Sequence, residues 1–124
     1  MNRHSLALKI NDEVNRDIEY RTDLSHYGVV ELWTLPQDKQ GACEDYALLK
    51  RALLLDAGFN SEDLCLCVCK CPDGSMHCVL WVKTEQGGFI LDNRYAGLCI
   101  PSFLPYTEWI ICRDGVWHSV QSWH

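Results

Sequence analysis

Residues 64–71 read Leu-Cys-Leu-Cys-Val-Cys-Lys-Cys, with four cysteines alternating against Leu64, Leu66 and Val68. No other stretch restricts the fold as tightly. A strict period of two belongs to an extended strand, whose successive side chains point to opposite faces. Pro72-Asp-Gly-Ser75 then reads as a turn, and Met76–Thr84 as the returning strand. Gln86-Gly-Gly88 turns the chain again into Phe89-Ile-Leu-Asp92. Near the C-terminus, Glu108–Arg113, the turn Asp114-Gly115 and Val116–Val120 predict a final hairpin.

The first half follows a different period. Leu6, Leu8, Ile10, Val14 and Ile18 recur among polar residues at near-helical spacing, which predicts a helix over residues 5–20. Residues 21–41 are rich in turn formers, with Trp33 and Pro36 among them, and read as irregular. A second helix is predicted from Ala42 or Cys43 to Asp56. Its apolar positions Ala47, Leu48, Leu54 and Leu55 are amphipathic, and Gly58 just beyond is a glycine stop. Helices first and an antiparallel sheet afterwards is an α+β pattern. At 124 residues, without internal repeat or low-complexity linker, the chain is expected to form a single domain over 1–124.

Charge and cysteine usage narrow the function. A formal net charge of −6 and the lack of a basic run argue against nucleic acid or an anionic membrane surface as the main partner. The stretch Met1–Ile10 has no apolar run of signal-peptide length, and no segment approaches a membrane span. The expectation is a soluble, cytoplasmic protein whose eight cysteines stay reduced. Neighbours two apart on one strand face are also too distant and too badly aimed to bridge. The ladder Cys65, Cys67, Cys69 and Cys71 invites a zinc or copper(I) reading, but zinc sites use Cys-x2-Cys knuckles that a flat strand does not make. The expectation is a face of small apolar residues packed on a helix.

The chemistry concentrates at Gly41-Ala-Cys-Glu-Asp-Tyr-Ala47. Cys43 stands in the first turn of a helix, where unpaired N–H groups and the positive end of the helix dipole favour a thiolate. Gly41 permits close approach, so the sulfur is expected to be exposed. The same N–H groups can donate to an oxyanion formed during acyl attack. A thiol nucleophile needs a base, and the base an orienter. His77 lies early on one strand and Asp92 at the end of the next, positions that fall side by side in an antiparallel pair. His77 shares a face with Val79 and Trp81, and that face is expected to pack against the helix carrying Cys43. From spacing alone, other readings stay open: a buried cysteine acting as a small hydrophobe, a structural histidine, and a plain turn at Asp92-Asn93.

These residues carry a family resemblance. Val14-Asn15, Tyr20, Asp23, Trp33-Thr-Leu-Pro36, then Gly41–Ala47 with Lys50 and Gly58, then Met76-His-Cys-Val-Leu80 and Leu91-Asp-Asn93 occur in the order of the family's motifs. In them the chain resembles the bacterial transglutaminase-like cysteine proteinases, the LapG-type peptidases, over residues 10 to 95. The resemblance implies a transglutaminase-like, papain-related core with N-terminal helices packed on an antiparallel sheet. It also implies a cysteine peptidase acting on a protein or peptide substrate through a Cys43 thioester. His77 would take and return the proton, and Asp92 would fix the imidazole. Family members bind calcium through acidic residues near the cysteine, which here leaves Glu44 and Asp45. Ala42 stands where the family usually has Asp, and Gln37 where it often has Glu. Losing a carboxylate weakens a hard-cation site, so no cofactor is expected. Two other functions fit the residues: acyl transfer from glutamine to an amine, and a non-catalytic, thiol-rich binding module.

Overall fold

A computed structural model describes residues 2–18 and 41–121 of the chain. Helix α1 spans Arg3–Ile18 and helix α2 spans Gly41–Asp56. Five strands follow: β1 (Leu64–Lys70), β2 (Met76–Thr84), β3 (Gly87–Leu91), β4 (Thr107–Arg113) and β5 (Val116–Ser119). They form one antiparallel sheet in the order β3-β2-β1-β4-β5. The α+β architecture expected from the two periods is therefore present, and the cysteine ladder lies on a central strand.

Local chemistry explains the helix ends. Asn2 caps α1, its Oδ1 accepting the Ser5 amide at 2.8 Å. At the end of α2, the Phe59 amide bonds back to the Leu54 carbonyl and the Gly58 amide to that of Leu55. That pairing needs a left-handed residue just past the helix, and Gly58 supplies it at φ +106°. The stripe Ala7, Ile10 and Val14 of α1 and the stripe Cys43, Ala47 and Leu54 of α2 are buried. Together they cover the sheet face formed by Leu64, Cys78, Leu80, Val82 and Leu91.

The opposite face has its own core. Cys65, Cys67, Cys69 and Cys71 lie there with Val79, Ile90 and Ile111, under the rings of Tyr106 and Trp109. The ladder thus packs as small apolar residues, as expected, but against aromatic rings from β4 and its approach, and neither α1 nor α2 covers it. All eight cysteines are free thiols. No helix among the described residues is long and apolar enough to cross a membrane.

Candidate active site

The register of the β2–β3 hairpin positions the first two site residues. Leu80 pairs with Leu91, so continuing one residue sets Asp92 opposite Val79, on the face of His77 and diagonal to it. His77 Nε2 and Asp92 Oδ1 are 2.8 Å apart, with both side chains at most 1% exposed. The carboxylate has further donors: the Tyr106 hydroxyl at 2.7 Å on Oδ2 and the Arg94 amide at 2.9 Å on Oδ1. From α1, Asn15 Nδ2 donates to the Asp92 carbonyl at 3.0 Å and pins the backbone. Burial works against the charge of Asp92, but hydrogen bonds from His77 and Tyr106 outweigh it and hold the carboxyl below its ordinary range. An ionised Asp92 can only accept, so Nε2 carries the hydrogen and Nδ1 is the basic nitrogen. Nδ1 is buried and makes no hydrogen bond.

Cys43, third residue of α2, comes to the residue next to His77 from the other side of the sheet. Its Sγ accepts the Cys78 amide at 3.3 Å. In β2 the amides of alternate residues point to the same neighbour, so Cys78 N–H is directed as Leu80 N–H is, toward β3. But β3 pairs only as far as Leu91, opposite Leu80. The sulfur occupies the edge that β3 vacates, against the backbone of the residue next to His77.

Two expectations are corrected here. The face of His77, Val79 and Trp81 does not pack on α2, because α2 covers the face of Cys78, Leu80 and Val82. Residues 77 and 78 necessarily point to opposite sides, and the thiol arrives around the strand's free edge. Nor is the sulfur exposed: Cys43 is 6% exposed. Burial pushes its thiol up to about 11, against the pull of the Cys78 amide, so the helix terminus alone does not ionise it. A neighbouring base is therefore required for the sulfur to become a nucleophile at neutral pH.

Other groups were invisible in the spacing. Lys50, seven residues after Cys43, lies on the same buried stripe of α2 at 0% exposure, and its Nζ makes no hydrogen bond. The Tyr46 ring lies 5.7 Å from it. Burial lowers this amine to about 7, opposed by the charges of Asp92 and Asp12. In the sequence Lys50 shows as one residue of the family motif and as a lysine on an apolar helical stripe, and neither marks it as a buried amine. Tyr106 and Arg94 sit in connecting segments with no motif of their own.

Glu44 and Asp45 are the acidic residues next to the nucleophile on α2. Glu44 is buried, Asp45 is half-buried, and Ala42 carries no side-chain oxygen. Among the described residues, no three His, Cys, Asp or Glu side chains gather where they could hold a metal ion. His118 is exposed on β5. Trp33, Gln37 and His124 lie outside the described residues.

The family model described as bacterial transglutaminase-like cysteine proteinase matches residues 2–122. No curated protein matches the sequence. Among solved structures, calcium-bound LapG of Legionella pneumophila is similar at 17% identity and a TM-score of 0.63, over 97% of this chain and 71% of that one. At such identity the likeness speaks for the fold, which is transglutaminase-like as the motifs led one to expect.

Proposed function

Because the chain belongs to the bacterial transglutaminase-like cysteine proteinases, cysteine-type hydrolases that act on protein, we propose that it cleaves a peptide bond through a thioester on Cys43. His77 Nδ1 takes the proton from Sγ as the sulfur attacks the carbonyl carbon, and Asp92 holds the resulting imidazolium. His77 then gives the proton to the departing amine, and the C–N bond breaks to leave the thioester. Water, deprotonated by the same nitrogen, adds to that carbonyl, and the thiol leaves reprotonated. Amides at the start of α2 are the candidate donors to the oxyanion.

One observation carries this reading: Nε2 of His77 is committed to an ionised carboxylate and its other nitrogen is left without a partner, while Cys43 Sγ accepts the amide of the next residue, Cys78. A structural histidine would satisfy both nitrogens. A thiol that burial keeps protonated calls for a base at the moment of attack, which supports His77 in that role with no standing thiolate needed. The solved LapG structure is described as calcium-bound, and the steps above use only the side chains of Cys43, His77 and Asp92.

Substoichiometric iodoacetamide near pH 6, with the label mapped by mass spectrometry, tests the reading. Cys43 is expected to label ahead of the seven other thiols, and that preference is expected to vanish in His77→Ala. Labelling that starts on the ladder cysteines, or is indifferent to His77, contradicts it and favours a binding module.

A further inference from the structure

Arg94 has no part in the steps above, yet its side chain is tied across the site. Its amide is fixed to Asp92 beyond the end of β3, and its Nη1 donates to Cys71 Sγ at 3.3 Å, just beyond the end of β1. In the sheet order, β2 lies between those two points, and its near end is Met76-His77. Adjacent strands are about 4.8 Å apart. A side chain joining the edge of β3 to the edge of β1 therefore crosses the end of β2, on the face that bears Cys71 and His77. The residue is nevertheless exposed.

Its partners leave most of its hydrogen-bonding capacity open. A neutral thiol is a weak acceptor, and the Tyr106 oxygen, which already gives its proton to Asp92, is the other group it bonds. Among the described residues no carboxylate forms an ion pair with Arg94, whereas Arg3 is paired with Asp63 at 2.9 Å and Lys70 with Glu108 at 3.2 Å. A planar fork of five donors, exposed and without an acidic partner among the described residues, matches the geometry of a carboxylate. Its positive charge also reaches the nucleophile. Burial raises the Cys43 thiol, and Arg94 is among the groups that pull it back down.

We propose that Arg94 determines substrate specificity, binding an acidic side chain of the peptide next to the bond that is cut. The assignment rests on Cys43 and His77 forming the reactive pair, and names the class of sequence that pair acts on. Arg94 is a recognition residue here and takes no proton.

Two reagents of matched size test it without a known substrate. Iodoacetate carries a carboxylate and iodoacetamide does not. The ratio of their rates at Cys43 is expected to fall roughly five- to tenfold in Arg94→Gln, the effect of one unit charge at close range. The difference is expected to shrink in 0.5 M salt. Lys70→Gln, which removes a cation already paired with Glu108, is the control expected to leave the ratio in place. A proteome-derived peptide pool digested by the intact protein gives the second reading. Cleavage sites are expected to be enriched in Asp or Glu at one subsite, to lose that enrichment in Arg94→Gln, and to shift toward Lys in Arg94→Glu. A rate ratio unmoved by Arg94→Gln, or cleavage without acidic enrichment, overturns the carboxylate site and leaves the thiol peptidase standing. A Cys43 that neither reagent labels overturns both.

Discussion

Asp92, past the end of β3, and Lys50, in the middle of α2, are both cut off from water at 0% exposure, and the fold supports them differently. Asp92 receives His77, Tyr106 and the Arg94 amide, and its carboxyl is held below its ordinary range. Lys50 has no hydrogen bond to its Nζ, and burial brings it down to about 7. A buried charge survives where donors converge on it and is driven toward neutrality where they do not. The wired carboxylate belongs to the candidate site. The unwired amine lies seven residues along the helix that carries the nucleophile.

Asp92→Asn attacks the wired side and should have the largest effect. An amide can donate to Nε2, which would move the ring hydrogen to Nδ1 and take away the base. A fall of roughly 10³- to 10⁴-fold in turnover is expected, with an unchanged far-UV spectrum, as for triad carboxylates elsewhere. Turnover close to that of the unaltered protein would remove Asp92 from its role.

Lys50→Met attacks the unwired side, and the expected change is in stability. The folded pKa of about 7 lies below the unfolded value of 10.5, so between these values the unfolded chain binds more protons. This group's cost is therefore fully present below pH 7 and is relieved as pH rises toward 10.5. Three and a half pKa units correspond to about 3 to 5 kcal/mol. Lys50→Met is expected to recover about 2 to 4 kcal/mol at pH 6 in urea unfolding, and to flatten the rise between pH 7 and 9. Above pH 9 the buried thiols act in the opposite sense, since Cys43, Cys67 and Cys78 are all raised by burial. A variant less stable than the parent at pH 6 would mean that the amine is held by something stronger than its surroundings suggest.

Tyr106→Phe makes the wired side slightly more like the unwired one. One of the donors to Asp92 is lost while ring packing on His77 and Trp109 is kept. A loss of about 1 to 2 kcal/mol is expected in urea unfolding, with turnover reduced roughly three- to tenfold. An effect as large as that of Asp92→Asn would show that the hydroxyl, and not the carboxylate, orients the imidazole.

Much of this arrangement was readable before any coordinates. The Gly41–Ala47 block singled out Cys43 as the candidate nucleophile, and the hairpin spacing brought His77 and Asp92 together, because register converts a turn and an alternation into neighbours. Tyr106 and Arg94 were not readable. They reach Asp92 from connecting segments, and a loop has no period to project from. Lys50 stood in plain view as part of a family motif, but only the packing of its stripe makes it a buried amine.

What the sequence determined on its own is the set of elements and the alternation of side chains along them, since both follow from local backbone geometry. Alternation separates His77 from Cys78, yet it is silent on which side a helix will cover. That choice depends on apolar surface far apart in the chain, where Ala7, Ile10, Val14 and Leu54 meet Leu80 and Val82. The tertiary structure decided it, and with it the place where β3 stops, the Cys78 amide left for the sulfur and the buried thiol at the sheet's edge. Burial and proximity are properties of the assembled surfaces, and no local pattern encodes them.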